Sequence, residues 1–276
     1  PCAIRDVVTR PLETQGAYGR LYRLTPAYEP SGGDAPRTIV AKLSSDDPSM
    51  RQRPNTRAAY EREVRFYQDL APEDLVPVPI CYYGDVYPDS GWHILLLQDL
   101  SPARPASRST LCSAEQARIA IRHIAHFHAR WWGQRASTRM PWLAQGSVAP
   151  DDDAMARAHE KWWPVFVRRS GRGLPADVAR TGQLLGTARG GILRHLFSDE
   201  PIALVHGDFT AGNLMFGWAT ETPLAVVDWQ FLKPGRGVWD VACFLATGVL
   251  PTVRRAIEAE LLRDYVRILS DHGVGG

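Results

Sequence analysis

The chain has 276 residues, 45% of them hydrophobic and 22% charged, which suits a soluble globular protein and excludes a collagen, a coiled coil or a wholly disordered chain. At this length it forms one large domain or two lobes and buries roughly three quarters of its unfolded surface. Lys and Arg total 32 against 30 Asp and Glu, a net charge of +2; that lacks the clustered basic excess of a nucleic-acid-binding surface.

No apolar run approaches the ~18 residues of a membrane span. The nearest, residues 238–250, is short and holds Asp240. The cysteines fall at positions 2, 81, 112 and 243, with no Cys-x-x-Cys spacing. Together with the lack of a visible signal peptide, this predicts reduced thiols and a cytoplasmic protein.

In chain order, Gly16-Ala17-Tyr18-Gly19 stands just before the alternating stretch Leu21–Leu24 and predicts strand, turn, strand. Ser31–Pro36 is a polar turn, and Thr38–Leu43 is a β-branched run with Lys42 near its end. Tyr60, Val64 and Tyr67 share one face of a helix expected over 60–70, which Pro72, Pro77 and Pro79 end. His93–Gln98 is a short apolar run suited to a buried strand. Ser101–Ser107 reads as a linker.

Ser113 and Gln116 then form a capping-box pattern opening a helix whose apolar positions recur through Trp131. From there the chain reads as helical, apart from two short strands over 202–205 and 224–227, and no repeat of 20–50 residues is present.

The densest chemistry lies at the end of those two strands. The first runs into His206-Gly207-Asp208, with Asn213 five residues after the Asp; the second ends in Asp228-Trp229-Gln230. This is the spacing a phosphotransferase needs. A loop Asp orients the acceptor hydroxyl and takes its proton, while an amide and a strand-ending carboxylate hold Mg²⁺ against nucleotide phosphates. Mg²⁺ is a hard cation that prefers oxygen ligands, which Asn and Asp supply. A hairpin between Asn213 and Asp228 would return the two ligands to each other.

His206-Gly207-Asp208 with Asn213 and Asp228 resembles the phosphate-transfer motif shared by aminoglycoside phosphotransferases and choline kinases, within the wider protein-kinase-like fold. The strings Val205–Phe209, Val227–Gln230 and Trp239–Ala242, with His126-x-His128-Ala129-x-Trp131-Trp132, most resemble the ecdysteroid kinase-like branch. The likeness covers nearly the whole chain and is strongest over 200–245.

It implies an α+β, protein-kinase-like fold of two lobes. Residues 1–100 would form a small antiparallel-sheet, nucleotide-binding lobe. Residues 101–276 would form a larger, mainly helical lobe with the catalytic loop and acceptor site. It implies an enzyme that moves the γ-phosphoryl of ATP, with Mg²⁺, to a hydroxyl of a small organic molecule, without nucleic-acid or membrane partners. The oligomeric state has no signature here.

The resemblance also assigns further parts. Lys42 is expected to grip the α- and β-phosphates. A helix Glu should hold that lysine, and Glu63 is preferred to Glu61 because it lies beside Val64 and one turn from Tyr60 and Tyr67. Gly16 and Gly19 mark the phosphate-covering loop, although no full G-x-G-x-x-G is present. Gln98 and Leu100 would offer hinge backbone groups to adenine. Asp208 is the expected catalytic residue, with Asn213 and Asp228 the metal ligands.

His206 and Asp240 are read as braces of the loop rather than ligands. His123, His126 and His128 lack the spacing of a helical zinc pair. The helical tryptophans are expected in the core, with some lining the acceptor pocket.

An aminoglycoside kinase is the alternative. It would want a carboxylate-lined pocket, and the acidic groupings, Asp151–Asp153, Asp199-Glu200, Glu258 and Glu260, are sparse. A pseudokinase scaffold would require a lost catalytic residue, and none is lost. A protein kinase fits poorly: Asp228-Trp229-Gln230 stands where Asp-Phe-Gly would, and no Ala-Pro-Glu follows.

Overall fold

The computed structural model describes residues 3–13, 18–29, 33–71, 76–87, 89–106, 111–133, 140–144, 152–197, 202–217 and 223–275. The first part is a five-stranded antiparallel sheet with a helix on one face. Its strands are β1 (Ala3–Pro11), β2 (Gly19–Glu29) and β3 (Ile39–Ser44), followed by α1 (Pro48–Arg51) and α2 (Pro54–Arg65), then β4 (Cys81–Tyr87) and β5 (Trp92–Gln98). The strand order is β1-β2-β3-β5-β4. Lys42 of β3 pairs in register with Leu95 of β5, near the centre of the sheet.

Helix α2 starts earlier than the expected residue 60. Pro54 sits in its first turn, where a missing N–H removes no helical hydrogen bond. The helix widens into a π turn over Phe66–Leu70. Ala59, Tyr60, Val64, Phe66 and Tyr67 are buried, and two charged residues, Arg62 and Glu63, are buried among them. Strand β4 was absent from the sequence reading, although its Tyr-rich run carries the β-formers of an edge strand.

After β6 (Arg104–Pro105), Ser113 caps α3 (Ala114–Arg130) through the expected box: its Oγ accepts from the Gln116 N–H and the Gln116 side chain accepts from the Ser113 N–H. The apolar stripe of α3, Ala117 through Trp131, is buried as its spacing predicts. The remaining elements are α4 (Pro141–Ala144), α5 (Asp152–Ser170), α6 (Ala176–Phe197), β7 (Ala203–Val205), β8 (Leu214–Phe216), β9 (Leu224–Val226), β10 (Lys233–Gly235), α7 (Val238–Thr247) and α8 (Pro251–Asp271).

Among its described residues the helical part holds five short strands where two were expected: β6 pairs with β8, β8 with β9, and β10 with β7. Strands of two or three residues show no period to read. Two of them, β6 and β10, contain proline, which points away from a strand. Trp131 is buried as expected, but Trp162 on α5 is 58% exposed, so the core reading of the helical tryptophans fails there.

One continuous core joins the two parts. Val64, Phe66, Tyr67 and Leu95 cluster with Ile121, Ile124 and Phe127 of α3, with Trp229, and with Phe244 of α7. Trp229 is fully buried and stacks on Phe66 at 4.0 Å between ring centroids. The fold is mixed α+β, and its core fastens α2 directly to the segment that follows β9. Among the described residues no helix is long and apolar enough to cross a membrane.

Candidate active site

Strand β7 delivers the chain into His206-Gly207-Asp208, and three groups fix that loop. The carboxylate of Asp240, fully buried in the first turn of α7, accepts from the His206 N–H at 2.6 Å and the Gly207 N–H at 3.0 Å. His128 of α3 donates to the same carboxylate through Nε2 at 3.2 Å, and its Nδ1 accepts from the Tyr265 hydroxyl at 3.0 Å. The Trp239 indole N–H donates to the Gly207 carbonyl at 3.1 Å.

His206 closes the loop on itself. Its Nδ1 accepts from the Asp208 N–H at 3.2 Å and its Nε2 donates to the Val227 carbonyl at 3.0 Å, which requires the Nε2–H tautomer. Both braces expected from the sequence are thus in place.

Gly207 has no substitute here. Its φ is +86°, a conformation that favours glycine. A Cβ at this position would also lie 2.2 Å from the Phe231 carbonyl oxygen.

Asp208 projects half-buried from the loop, and burial pushes its carboxyl above the ordinary Asp value. The Asn213 amide nitrogen donates to the Asp208 carbonyl at 2.8 Å and to its Oδ2 at 3.1 Å. That nitrogen is occupied by Asp208, so the amide oxygen is the end a hard cation can take. The β8–β9 hairpin returns the chain as the spacing predicts: the Val227 N–H donates to the Asn213 carbonyl at 3.0 Å, which sets Asp228 beside Asn213. Asp228 itself adopts φ +69° and ψ +58°, a left-handed conformation that costs a non-glycine residue roughly 1–3 kcal/mol.

Lys42 reaches this point from the sheet. Its Nζ lies 2.8 and 2.7 Å from the two carboxylate oxygens of Glu63 and 2.5 Å from Asp228 Oδ1. Glu63, not Glu61, is therefore the partner, and it is 1% exposed. Burial works against the Lys42 ammonium, but the charges of Glu63 and Asp228 outweigh it and hold Lys42 above its ordinary value. Burial pushes Glu63 up to about 7 against the pull of Lys42, and the Asp228 charge adds to the rise. One ammonium faces two carboxylates, and that excess of negative charge at Asp228 suits a bound cation.

Other expected site residues fare differently. Gly16 lies outside the described residues. Gly19 sits in β2 opposite Ser44, and its missing Cβ makes room for the Leu43 carbonyl oxygen, 2.2 Å from where a Cβ would be; its observed contact is with a neighbouring strand. Of the two backbone groups of Gln98, the N–H is given to the Ile80 carbonyl at 2.8 Å. The Leu100 carbonyl accepts from the Ala103 N–H at 2.9 Å.

Three contributors escaped the sequence reading. Gln230 donates from Nε2 to Asp228 Oδ2 at 3.2 Å. Arg62 donates to the Gln230 carbonyl at 2.8 Å. The Tyr60 hydroxyl donates to the Tyr18 carbonyl and accepts from the Ser45 N–H at 3.1 Å, tying α2 to the start of β2 and the end of β3. Gln230 stood in view within the Asp228-Trp229-Gln230 string, but a single polar residue after a strand carries no periodic signal.

A small antiparallel sheet supplying a buried lysine, set against a helical part supplying Asp208, Asn213 and Asp228, is the architecture of a kinase-like phosphotransferase. Residues 32–270 match the phosphotransferase enzyme family APH, and the chain belongs to that family.

Among solved structures, the GDP complex of wild-type aminoglycoside 2'-phosphotransferase-IIIa is similar with a TM-score of 0.56 and 13% identity, over 98% of this chain and 82% of that one. The apoenzyme of macrolide 2'-phosphotransferase MphH from Brachybacterium faecium gives 0.51 and 16%, over 97% and 77%. Likeness at these identities shows the fold. In sequence, the chain is 23% identical over 227 residues to the kinase-like protein D1044.1 of Caenorhabditis elegans, covering 76% of this chain but 57% of the worm protein. It thus spans little more than half the length of that relative.

The bracing of the loop gives a direct test. Asp240→Ala leaves the His206 and Gly207 amides and the His128 ring without their acceptor. At about 1 kcal/mol or more for each buried donor left unpaired, chemical denaturation should show a loss of about 3 kcal/mol or more. A variant as stable as the parent would show that Asp240 does not hold the loop.

Proposed function

We propose that this protein transfers the γ-phosphoryl group of ATP to a hydroxyl of a small organic molecule. The observation that carries the reading is the meeting of Lys42, Glu63 and Asp228 beside the Asp208–Asn213 pair. Residues 1–100 act as the nucleotide-binding lobe, and residues 101–276 supply the catalytic loop and the acceptor site. The buried Lys42 ammonium binds the α- and β-phosphates, and Glu63 keeps it pointed at them. Asp208 accepts a hydrogen bond from the acceptor hydroxyl and takes its proton as the oxygen attacks the γ-phosphorus, whose bond to the β–γ bridging oxygen breaks so that ADP leaves with that oxygen; Asn213 holds the Asp208 carboxylate in place.

The Asn213 amide oxygen and the Asp228 carboxylate are the donors that fit Mg²⁺, a hard cation. When bound, Mg²⁺ supplies neutralisation of the phosphate charge.

For the acceptor we favour a neutral, partly apolar alcohol, in keeping with the resemblance to the ecdysteroid kinase-like branch. Phe231 abuts Gly207 through its carbonyl and meets the Tyr18 ring at 5.8 Å across the two parts of the fold, while the Trp239 indole is bonded to the Gly207 carbonyl. Glu258 and Glu260 are engaged by Arg254 at 3.3 Å and Arg118 at 2.7 Å, and so do not offer free charge to a polycation. Desolvating an amine against aromatic walls costs several kcal/mol unless each charge is paired.

Three measurements test this. Asp228→Asn keeps a residue tolerant of the left-handed backbone and removes the metal-binding charge; phosphoryl transfer should fall by at least about 100-fold, measured at a temperature where circular dichroism shows the variant folded. Near-parental turnover would sink the assignment.

Asp208 works as the carboxylate, and burial raises its pKa, so the acid limb of the kcat/KM profile should lie above the ordinary Asp value of about 3.9. Activity lost only below that value would exclude Asp208 as the base. Last, in parallel ATP-consumption assays a neutral hydroxylated compound should outperform kanamycin-like amines. Turnover of the amines alone would reverse the acceptor assignment and leave the phosphotransfer residues untouched.

A further inference from the structure

The carboxylate of Asp228 is held at both oxygens by groups from different elements. Oδ1 receives the Lys42 ammonium at 2.5 Å from β3, and Oδ2 receives the Gln230 amide at 3.2 Å from the turn after β9. Held by Lys42 alone, the carboxylate would pivot about its Oδ1 contact. With a second donor on Oδ2 its plane is fixed, and so is the direction of the lone pairs that remain for a cation.

Gln230 makes this contact at the expense of its own amide oxygen. The side chain is 4% exposed, and its Oε1 has no hydrogen-bond partner among the described residues. The flipped amide would set two oxygens face to face at the same 3.2 Å, so the Asp228 contact selects the observed orientation.

The backbone of Gln230 is anchored as well. Its carbonyl accepts from Arg62 Nη1 at 2.8 Å, and Arg62 is the immediate neighbour of Glu63 on α2. The contacts therefore close a circuit: Lys42 to Glu63, Arg62 to Gln230, Gln230 to Asp228, and Asp228 back to Lys42. Helix α2 grips both ends of the Asp228 carboxylate, one end through the lysine and the other through the glutamine.

We infer that Gln230 is a positioning residue for phosphoryl transfer, which orients the Asp228 carboxylate for its divalent cation and relays the position of α2 to that carboxylate. The inference rests on the proposed phosphotransfer reading, and its test separates the two.

Two variants are compared with the parent protein. Gln230→Met keeps length and volume without the amide; Gln230→Asn keeps the amide but cannot reach Asp228. Mn²⁺ is titrated into each protein in the presence of ADP, with free Mn²⁺ followed by electron paramagnetic resonance. ADP binding in chelator and the thermal midpoint are measured alongside.

Loss of a group that orients a metal ligand typically weakens metal affinity by 10–100-fold. Both variants should show a rise of that size in the Mn²⁺ dissociation constant, with ADP affinity in chelator within about twofold of the parent. If Gln230 only fills space, Met should retain parental Mn²⁺ affinity and Asn should lose thermal stability, and that pattern overturns the inference while the phosphotransfer reading stands. If one variant does not fold, the other decides by the same criterion. Failure of the parent protein to bind Mn²⁺ with ADP overturns the phosphotransfer reading and this inference together.

Discussion

The ammonium of Lys42 lies between two carboxylates that come from opposite parts of the chain. Glu63 is 21 residues away on α2, and Asp228 is 186 residues away after β9. Removing one partner from a buried ion pair typically costs 3–5 kcal/mol, because the remaining charge is left without compensation. The sheet, the helix and the hairpin must therefore be in register together or not at all. The core repeats the same connection in apolar form, with Phe66 at the end of α2 stacked on Trp229, the residue after Asp228. The polar and apolar contacts between α2 and the Asp228 turn thus reinforce each other, and movement of α2 would disturb both.

Asp240 plays the corresponding part on the far side of the site. It takes two backbone amides of the 206–208 loop and one imidazole, none of which touches Lys42. Two independent devices thus locate the candidate groups. One fixes the Asp208 loop inside the helical part; the other spans the two parts and fixes Asp228. Asn213 joins them, since its side chain holds Asp208 and its backbone carbonyl receives Val227, the residue before Asp228. Helices can in this way hold the Asp208 loop rigid while Lys42 arrives from a separate sheet.

Much of this was legible in the sequence, for physical reasons that can be named. The spacing of Asp208, Asn213 and Asp228 survives as geometry because a short antiparallel hairpin converts a fixed sequence interval into a fixed separation in space. Glu63 was distinguishable from Glu61 because helical periodicity puts position 63 on the stripe of Tyr60, Val64 and Tyr67. The capping box of α3 was readable because it depends on two residues three apart.

What escaped depends on tertiary placement. Whether the Gln98 amide is free is decided by Ile80, which no local pattern reports. It is Trp163 that packs on Gly182 of α6, and its neighbour Trp162 is left exposed. The Gln230 contact arises from the unusual backbone at Asp228 and from Arg62, a long way off in sequence.

That unusual backbone has its own compensation next door. In an extended strand Asp228 and Trp229 would point to opposite faces of β9's continuation. The left-handed turn at Asp228 instead sends Trp229 fully into the core, against Phe66, Phe127 and His206, and keeps the carboxylate on Lys42. The strain of such a residue is roughly 1–3 kcal/mol. Burying a tryptophan's 150–250 Å² at about 25 cal/mol per Å² is favourable by ~4–6 kcal/mol.

The apolar term is the larger, so Trp229 holds Asp228 in a conformation it would otherwise leave. The same comparison explains why a large aromatic follows the aspartate here. A small residue at 229 would leave the strain at 228 without a counterweight, and the carboxylate would relax away from Lys42.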